Sequence, residues 1–568
     1  MIELGFQIDE ILKRTEKMQK NHKLMDLIFL KFIFSHYIRL SMKSSYLFCL
    51  LLLLFPPFAL VARKSPMGYC NSVDSILPKK PLTIGSNLEL FVDNYLIDKL
   101  EGKAELRLHQ PEAKEIVLVH NEPWEGSGTG YHSIFKDGEV YRMYYKGEQL
   151  SVSSDGGLKA GHPYFTCYAE SDDGIHWRKS ALGLFEFNGS KANNIVIAAG
   201  DFPGINKKVE ITGLTAGHPT VFKDENPNAT TDARYKAFLP SFSPNSRGLL
   251  PFKSTDGIHW SLMSNSPVIT DGIFDSQNLA FWDGVNNEYR AYWRSSFEGV
   301  RAIRTAISKD FIHWDKQADL KYEDSPPEEL YTSQIKPYYR APQLLMGFPT
   351  RYVVRGWSES MRALPDPEHR EWRSISSERH GSVVTESLFM VSRDGEKFKR
   401  WNEAFIRPGI ERPGTWAYGN QYLGWSMVET KSTNEGAPDE LSFYATENYW
   451  IGSSDALRRY TLRIDGFVSV NAPMSGGELI TKPLVFSGGH LILNFSTSAA
   501  GSIQIEVQDG NGKVIPGFGL DDCQVIFGDT IKRGVSWKNG SDVSALNGKQ
   551  VRLRFVLKDA DLFSFQFE

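Results

Sequence analysis

The chain has 568 residues, with 64 basic against 68 acidic side chains, a formal charge of −4, and 12% aromatic residues including 13 Trp. That length allows several domains and a large core, while the near-balance of charge excludes nucleic acid or an anionic membrane as a partner held by net electrostatics. Trp and Tyr set beside Gly, Asn and Asp suit either the interior of an all-β protein or stacking on sugar rings.

From Met42 the stretch MKSSYLFCLLLLLFPPFALVA sets Lys43 before an apolar run from Tyr46 to Leu54, with Ala59 and Ala62 after it. This is the layout of a secretory signal peptide, too short and wrongly flanked for a membrane span. The expected order is an extension over 1–41 that is disordered or follows from an upstream start codon, a signal peptide over 42–62 and a linker over 63–85. A two-segment membrane anchor built from LIFLKFIF and LLLLLF is the alternative. Export to the periplasm or outside the cell follows, with no integral membrane domain in the mature chain unless the segment stays uncleaved. Cys70, Cys167 and Cys523 remain after the signal. Scattered as they are, they give neither a disulfide framework nor a zinc pattern, and no metal or cofactor is expected.

Beyond residue 86 a box recurs: SDDGIHW from Ser171, STDGIHW from Ser254, SKDFIHW from Ser308, SRDGEKF from Ser392, and a degraded fifth copy, TENYW, at Thr446–Trp450. Each follows a short apolar run that reads as a strand, and each ends in a turn containing Asp, Gly or Asn. Upstream lies a second repeated element, GYHSIFKDGEVYRMYYKG, GHPTVFKDENPNATTDARYKAFLPSF and NLAFWDGVNNEYRAYWR, in which Phe135, Phe222 and Phe281 coincide. One unit is then a four-stranded antiparallel sheet, and five of them predict a five-bladed β-propeller over 86–472, with the boxes as structural hairpins. NLELFVDNYLID (Asn87–Asp98) and the strands around Leu106–Val119 are expected to complete the last blade. Period-two alternation from about Leu479, with a DGNG turn, predicts a β-sandwich over 473–568.

The boxes, the pair DGEVYRMYYKG, the five blades and the trailing sandwich resemble the five-bladed glycoside hydrolases of families 32 and 43. Closer still is a group of secreted bacterial proteins described as resembling family 32, which share LFVDNYLID, PWEGSGTGYH, MGFPTRYV, GW-x-MVET and LRFVLKDADLFSFQF. The resemblance implies a carbohydrate partner and glycosidic-bond chemistry. The family 32 motifs W-M-N-D-P-N-G and R-D-P are absent, and Tyr131 and His132 stand where family 43 has Asp-Pro. Neither catalytic set carries over residue by residue.

Propeller ligands bind where the innermost strands begin. Polar residues at those entries are Glu125, Tyr131 and His132 in blade one, and His218 in blade two. Blade three offers Asp275, Gln277 and Asn278, blade four Tyr331 and Gln334, and blade five Tyr418, Asn420 and Glu429. Glycoside hydrolysis needs two carboxyl groups, one as acid and one as base or nucleophile. Asp275 is the expected base or nucleophile, Glu125 or Glu429 the expected acid, and Asp93 a further candidate. Tyr131, His132, His218, Gln277, Asn278, Arg294, Tyr331, Tyr418 and Asn420 are the expected substrate contacts. Trp124, Trp282, Trp293, Trp416 and Trp425 are candidate sugar platforms or wedges between blades, and Arg294 and Arg351 candidate partners for an acidic glycan. A glycan-binding ring without catalysis and a structural or adhesive ring are the rival readings.

Overall fold

The computed structural model describes residues 80–199 and 214–568; the extension and signal peptide expected before them lie outside the described residues. The protein is a five-bladed β-propeller joined to a C-terminal β-sheet region. Blade one runs Gly130–Asp137, Val140–Gly147, Phe165–Ser171, Trp177–Arg178, blade two Thr220–Lys223, Tyr235–Ser241, Gly248–Ser254, Ser261–Leu262, and blade three Leu279–Asp283, Glu288–Phe297, Val300–Ser308, Trp314–Asp319. Blade four is Lys336–Tyr338, Ala341–Gly347, Met390–Ser392, Lys397–Arg400; a further hairpin, Thr350–Val354 with Val383–Ser387, carries three short helices between residues 359 and 382. Blade five is Val428–Thr430, Glu440–Glu447 and Ala456–Arg463, and its outer strand is Glu112–Val119 from far upstream. That borrowed strand closes the ring and leaves no open seam.

Strands buried on both faces carry apolar residues at nearly every position. In VYRMYYKG, Tyr141, Met143 and Tyr145 pack toward blade five with Val428 and Tyr444, while Tyr144 faces Val221 and Tyr235 of blade two.

The boxes join strand three to strand four and fasten each blade to the one before it. Ser171 Oγ accepts from the Gly174 amide at 2.9 Å, and Asp173 Oδ1 accepts from the amides of Ile175 and His176 at 2.8 Å. The same bonds recur at Ser254 with Asp256, Ser308 with Asp310, and Ser392 with Asp394. Three boxes turn at a glycine with positive φ, and a tyrosine of the preceding blade meets it: Tyr444 donates to Gly174 O at 2.6 Å and Tyr292 to Gly395 O at 2.9 Å. A Cβ at Gly257 would lie 2.5 Å from Tyr144 Oη. In blade three the preceding blade offers Phe238 instead, and the turn residue is Phe311, which stacks on it at 4.7 Å despite φ of 70°. Tyrosine meets glycine and phenylalanine meets phenylalanine, so each box matches its neighbour. Thr446–Trp450 corrects the fifth copy: it links strands two and three of blade five, because that blade's fourth strand arrives from upstream and leaves no such hairpin to stamp.

A ten-stranded sheet gathers the C-terminal strands around the long pair Leu491–Asp509 and Val551–Phe567, whose register shifts between Thr497 and Ser502. Of the segments expected to complete the last blade, Glu112–Val119 does so, whereas residues 87–108 pair here: Glu89–Leu90 with Ser564 and Phe565, Ile97–Gly102 with Gly477–Thr481, and Glu105–Leu108 with residues 468–471. Phe91 explains the placement, since its ring lies 5.7 Å from Phe565 and 6.3 Å from Phe555 in that core.

Candidate functional site

At the end of the ring where the inner strands begin, the incoming loops of several blades build a tyrosine-lined cup. Tyr331 is its centre, 5.2 Å from Tyr422 and 6.1 Å from Tyr352, and Tyr418 lies 5.7 Å from both Tyr352 and Tyr449. On the side of blades one and two, Tyr131 and His218 are 5.0 Å apart. Cations lie against these rings: Arg294 4.8 Å from Tyr331, Arg301 5.6 Å from Tyr331, and Lys146 5.2 Å from Tyr131. Each has a carboxylate partner, Asp275 for Arg294, Glu329 for Arg301 at 2.8 Å and Glu148 for Lys146 at 2.5 Å. The Asp275 side chain is 57% exposed above an Arg294 that is 5% exposed.

Electrostatics distinguish one phenol from the rest. Burial pushes Tyr131, Tyr418, Tyr422 and Tyr449 well above the usual tyrosine range. Burial acts the same way on Tyr331, but the Arg294 charge, with hydrogen bonds from Tyr131 and Tyr418, outweighs it and brings this phenol below its ordinary value. Burial, reinforced by the charges of Lys146 and Arg294, holds His218 well below the usual imidazole range.

Beneath the cup the axis is plugged by two glutamines. Gln277 Nε2 donates to Tyr131 O at 2.9 Å and lies 3.1 Å from Pro219 O, while its Oε1 accepts from Gln334 Nε2 at 2.8 Å; Gln334 Nε2 also reaches Leu423 O at 2.6 Å. Two side chains thus tie together segments of all five blades. Tyr131, Gln334 and Gln421 occupy positive φ (55°, 48° and 56°) at three of the strand entries. Left-handed backbone at a non-glycine residue costs roughly 1–2 kcal/mol each and persists where surrounding bonds fix it.

Among the expected carboxylates, Asp275 faces the cup. Glu125 is fully buried off the axis, held by Lys179 at 2.6 Å and by the hydroxyl of Tyr145. Glu429 stands on the inner strand of blade five at the opposite end of the ring, roughly 20 Å along the chain direction from Tyr422, and accepts from Tyr339. Asp93 pairs with Arg393 at 2.9 Å beside the C-terminal sheet. The four therefore do not face one another.

Among the expected substrate contacts, Tyr131, His218, Arg294, Tyr331 and Tyr418 meet in the cup. Gln277, Asn278, Asn420 and His132 are enclosed instead, each at most 1% exposed. Asn278 donates to Phe274 O and Ser276 O, and Asn420 bridges Gly414 O and the Tyr449 amide. His132 meets His120 at 3.2 Å, and His120 meets Asp455 at 2.7 Å, in a buried chain. Trp124, Trp293 and Trp425 bond inward, Trp282 packs on Tyr289, Trp416 donates to Gly409 O, and Arg351 pairs with Glu386 and Glu328.

Lys146, Glu148, Arg301, Tyr352, Tyr422 and Tyr449 join the site although the inner-strand entries do not name them. The missing signal is antiparallel geometry: a second strand ends at the rim where the first begins, so the close of VYRMYYKGE and the Arg294 end of EYRAYWR reach the cup as well.

Among the described residues no helix is long and apolar enough to cross a membrane, and no group of three or more His, Cys, Asp or Glu side chains is placed to hold a metal ion. No protein-family model and no curated protein matches the chain. Similar solved structures include a glycosyl hydrolase from Bacteroides ovatus, 15% identical over 62% of this chain and 94% of that one, with a TM-score of 0.37. An N-acetylgalactosamine deacetylase from F. plautii is 8% identical over 64% and 94%, with a TM-score of 0.38. A beta-1,2-mannobiose phosphorylase from Listeria innocua is 12% identical over 61% and 96%, with a TM-score of 0.37.

Proposed function

We propose that the chain is an exported glycoside hydrolase whose substrate, a poly- or oligosaccharide, lies in the tyrosine cup. The observation that carries this reading is the convergence of stacked phenols with two ion pairs, Arg294 with Asp275 and Lys146 with Glu148, at the inner-strand entries. Aromatic faces hold the apolar faces of a sugar ring, and the carboxylates and hydroxyls take its polar rim. Asp275, exposed and oriented by Arg294, serves as base or nucleophile. Glu148 replaces Glu125 and Glu429 as the partner carboxylate, because it shares the Lys146 side of the cup. Tyr331, its proton loosened by Arg294, lies between them as an orienting donor. The signal-like segment from Met42 supports export.

One feature of the same site favours the rival, a glycan-binding ring without catalysis: each of the two carboxylates already has a cation, whereas hydrolysis needs one carboxyl that stays protonated as the acid. Purified protein lacking residues 1–62, screened on a polysaccharide panel, separates the two. Reducing-sugar release that falls about a hundredfold or more in both Asp275→Asn and Glu148→Gln is the expected result. Retention of a glycan with no release establishes the binder, and neither release nor retention removes the glycan reading.

A further inference from the structure

The far end of the axis, where the inner strands finish, holds a second cavity beneath the glutamine plug. A volume of about 480 Å³ is lined in part by Lys223, Glu225, Lys336, Tyr339, Ser426 and Met427, and a neighbouring volume of about 510 Å³, lined also by Glu139, Asp172, Asp173, Glu429 and Asp439, shares those six residues. The first volume, unlike the second, has mostly aromatic or apolar walls, among them Phe281, Trp282, Met346 and Met427. Gln334 separates it from the cup, since that side chain lines the cavity and also completes the plug.

Lys336 reaches into this space. Its ammonium stands 5.7 Å from the Trp425 ring and has no hydrogen-bond or ion-pair partner among the described residues. The neighbouring lysines differ: Lys223 pairs with Asp137 at 2.7 Å and Lys431 with Asp439 at 2.9 Å. The half-buried Lys336 ammonium gives up part of its hydration, and the Trp425 ring face returns some of it. Burial accordingly lowers the affinity of Lys336 for its proton, with Glu225 acting weakly the other way. Glu225 lines the same cavity without touching this ammonium, and an ammonium in an aromatic cavity with no carboxylate in contact is half of a binding site.

We infer that this cavity binds a small organic carboxylate with an apolar ring, the carboxylate on Lys336 and the ring between Trp282 and the methionines. The aromatic and apolar walls around Trp282 and the methionines favour an aromatic or alicyclic acid over a sugar acid, whose hydroxyls those walls do not meet. The site is independent of the glycan reading, which concerns the other side of the plug.

Benzoate and its neutral isostere benzamide test this, by titration calorimetry and saturation-transfer NMR on the protein lacking residues 1–62. Benzoate is expected to bind saturably and benzamide about tenfold more weakly or worse. Lys336→Met is expected to weaken benzoate by about tenfold or more, Lys336→Arg to retain it, and Asp275→Asn to leave it unchanged. A cooperative melt for each variant shows that the fold persists. Equal binding of the two probes, benzoate binding unaffected by Lys336→Met, or no saturable binding would each overturn the inference.

Discussion

The two ends of the propeller axis share one scaffold and solve the problem of buried charge in opposite ways. At the cup, Arg294, Arg301 and Lys146 each face a carboxylate from a loop at a strand end, and phenols fill the space between. At the far end Lys336 stands over a Trp ring with no carboxylate in contact. The difference follows from connectivity. Inner strands are entered from long inter-blade loops and from the ends of antiparallel second strands, which bring Asp275, Glu329 and Glu148 to the cup's cations, whereas Lys336 opens the short inner strand Lys336–Tyr338, where no such carboxylate meets it. A charge-paired end is ready to handle a polar, uncharged ligand, and an unpaired cation asks the ligand for the missing charge.

The largest expected separation between the ends is in turnover. Asp275→Asn is expected to lower sugar release by about a hundredfold to ten-thousandfold with the melting temperature little changed, whereas Lys336→Met leaves release intact. Comparable loss in both variants would make the two ends one site. Next comes the plug. Gln277→Leu removes the donor to Tyr131 O and the acceptor for Gln334, leaving buried groups unpaired at about 1–3 kcal/mol each. A drop of several degrees in melting temperature, with retained but weakened activity, is the outcome expected from thermal scans; an unchanged melt would show that the blades hold register without the glutamines.

The ring itself was legible because its repeats are local: a Ser, an Asp and an aromatic at fixed spacing dictate one hairpin wherever they occur, as the bonds at Ser171, Ser254, Ser308 and Ser392 show. Phe311 shows the limit of such a pattern, since its departure from glycine makes sense only beside Phe238 of another blade. The cup was half legible. Tyr131, His218, Asp275, Tyr331 and Tyr418 lie at inner-strand entries, a position that the repeat alone defines. Glu148 was not, because which end of a second strand carries the rim depends on pairing rather than composition. Glu125 and Gln277 misled for one reason: a buried polar residue and a substrate-facing one occupy the same loops, and only the partners, Lys179 for one and the blade carbonyls for the other, tell them apart. Asp93 misled because an apolar strand near the propeller's first residue can be claimed by a distant sheet, as Phe91 was.

The smallest effects lie in how stability follows pH, and here both ends move in one direction for different groups. Burial holds His218 below its ordinary range, so below pH ~6.5 the unfolded chain binds a proton there that the folded chain refuses. Stability is complete above that value and declines as the pH falls, and His218→Gln is expected to flatten this part of the profile. Lys336 is also a base weakened by burial, but its unfolded value lies near ~10.4, so its penalty is already present at neutral pH. Lys336→Met is therefore expected to raise the melting temperature at pH 7 and to raise it less at pH 10, where the unfolded chain begins to shed the same proton. Chemical denaturation at the two pH values reads the difference directly. A variant that destabilises equally at both would mean that Lys336 has a counter-charge in solution, and the contrast between the paired and the unpaired end of the axis would then fail.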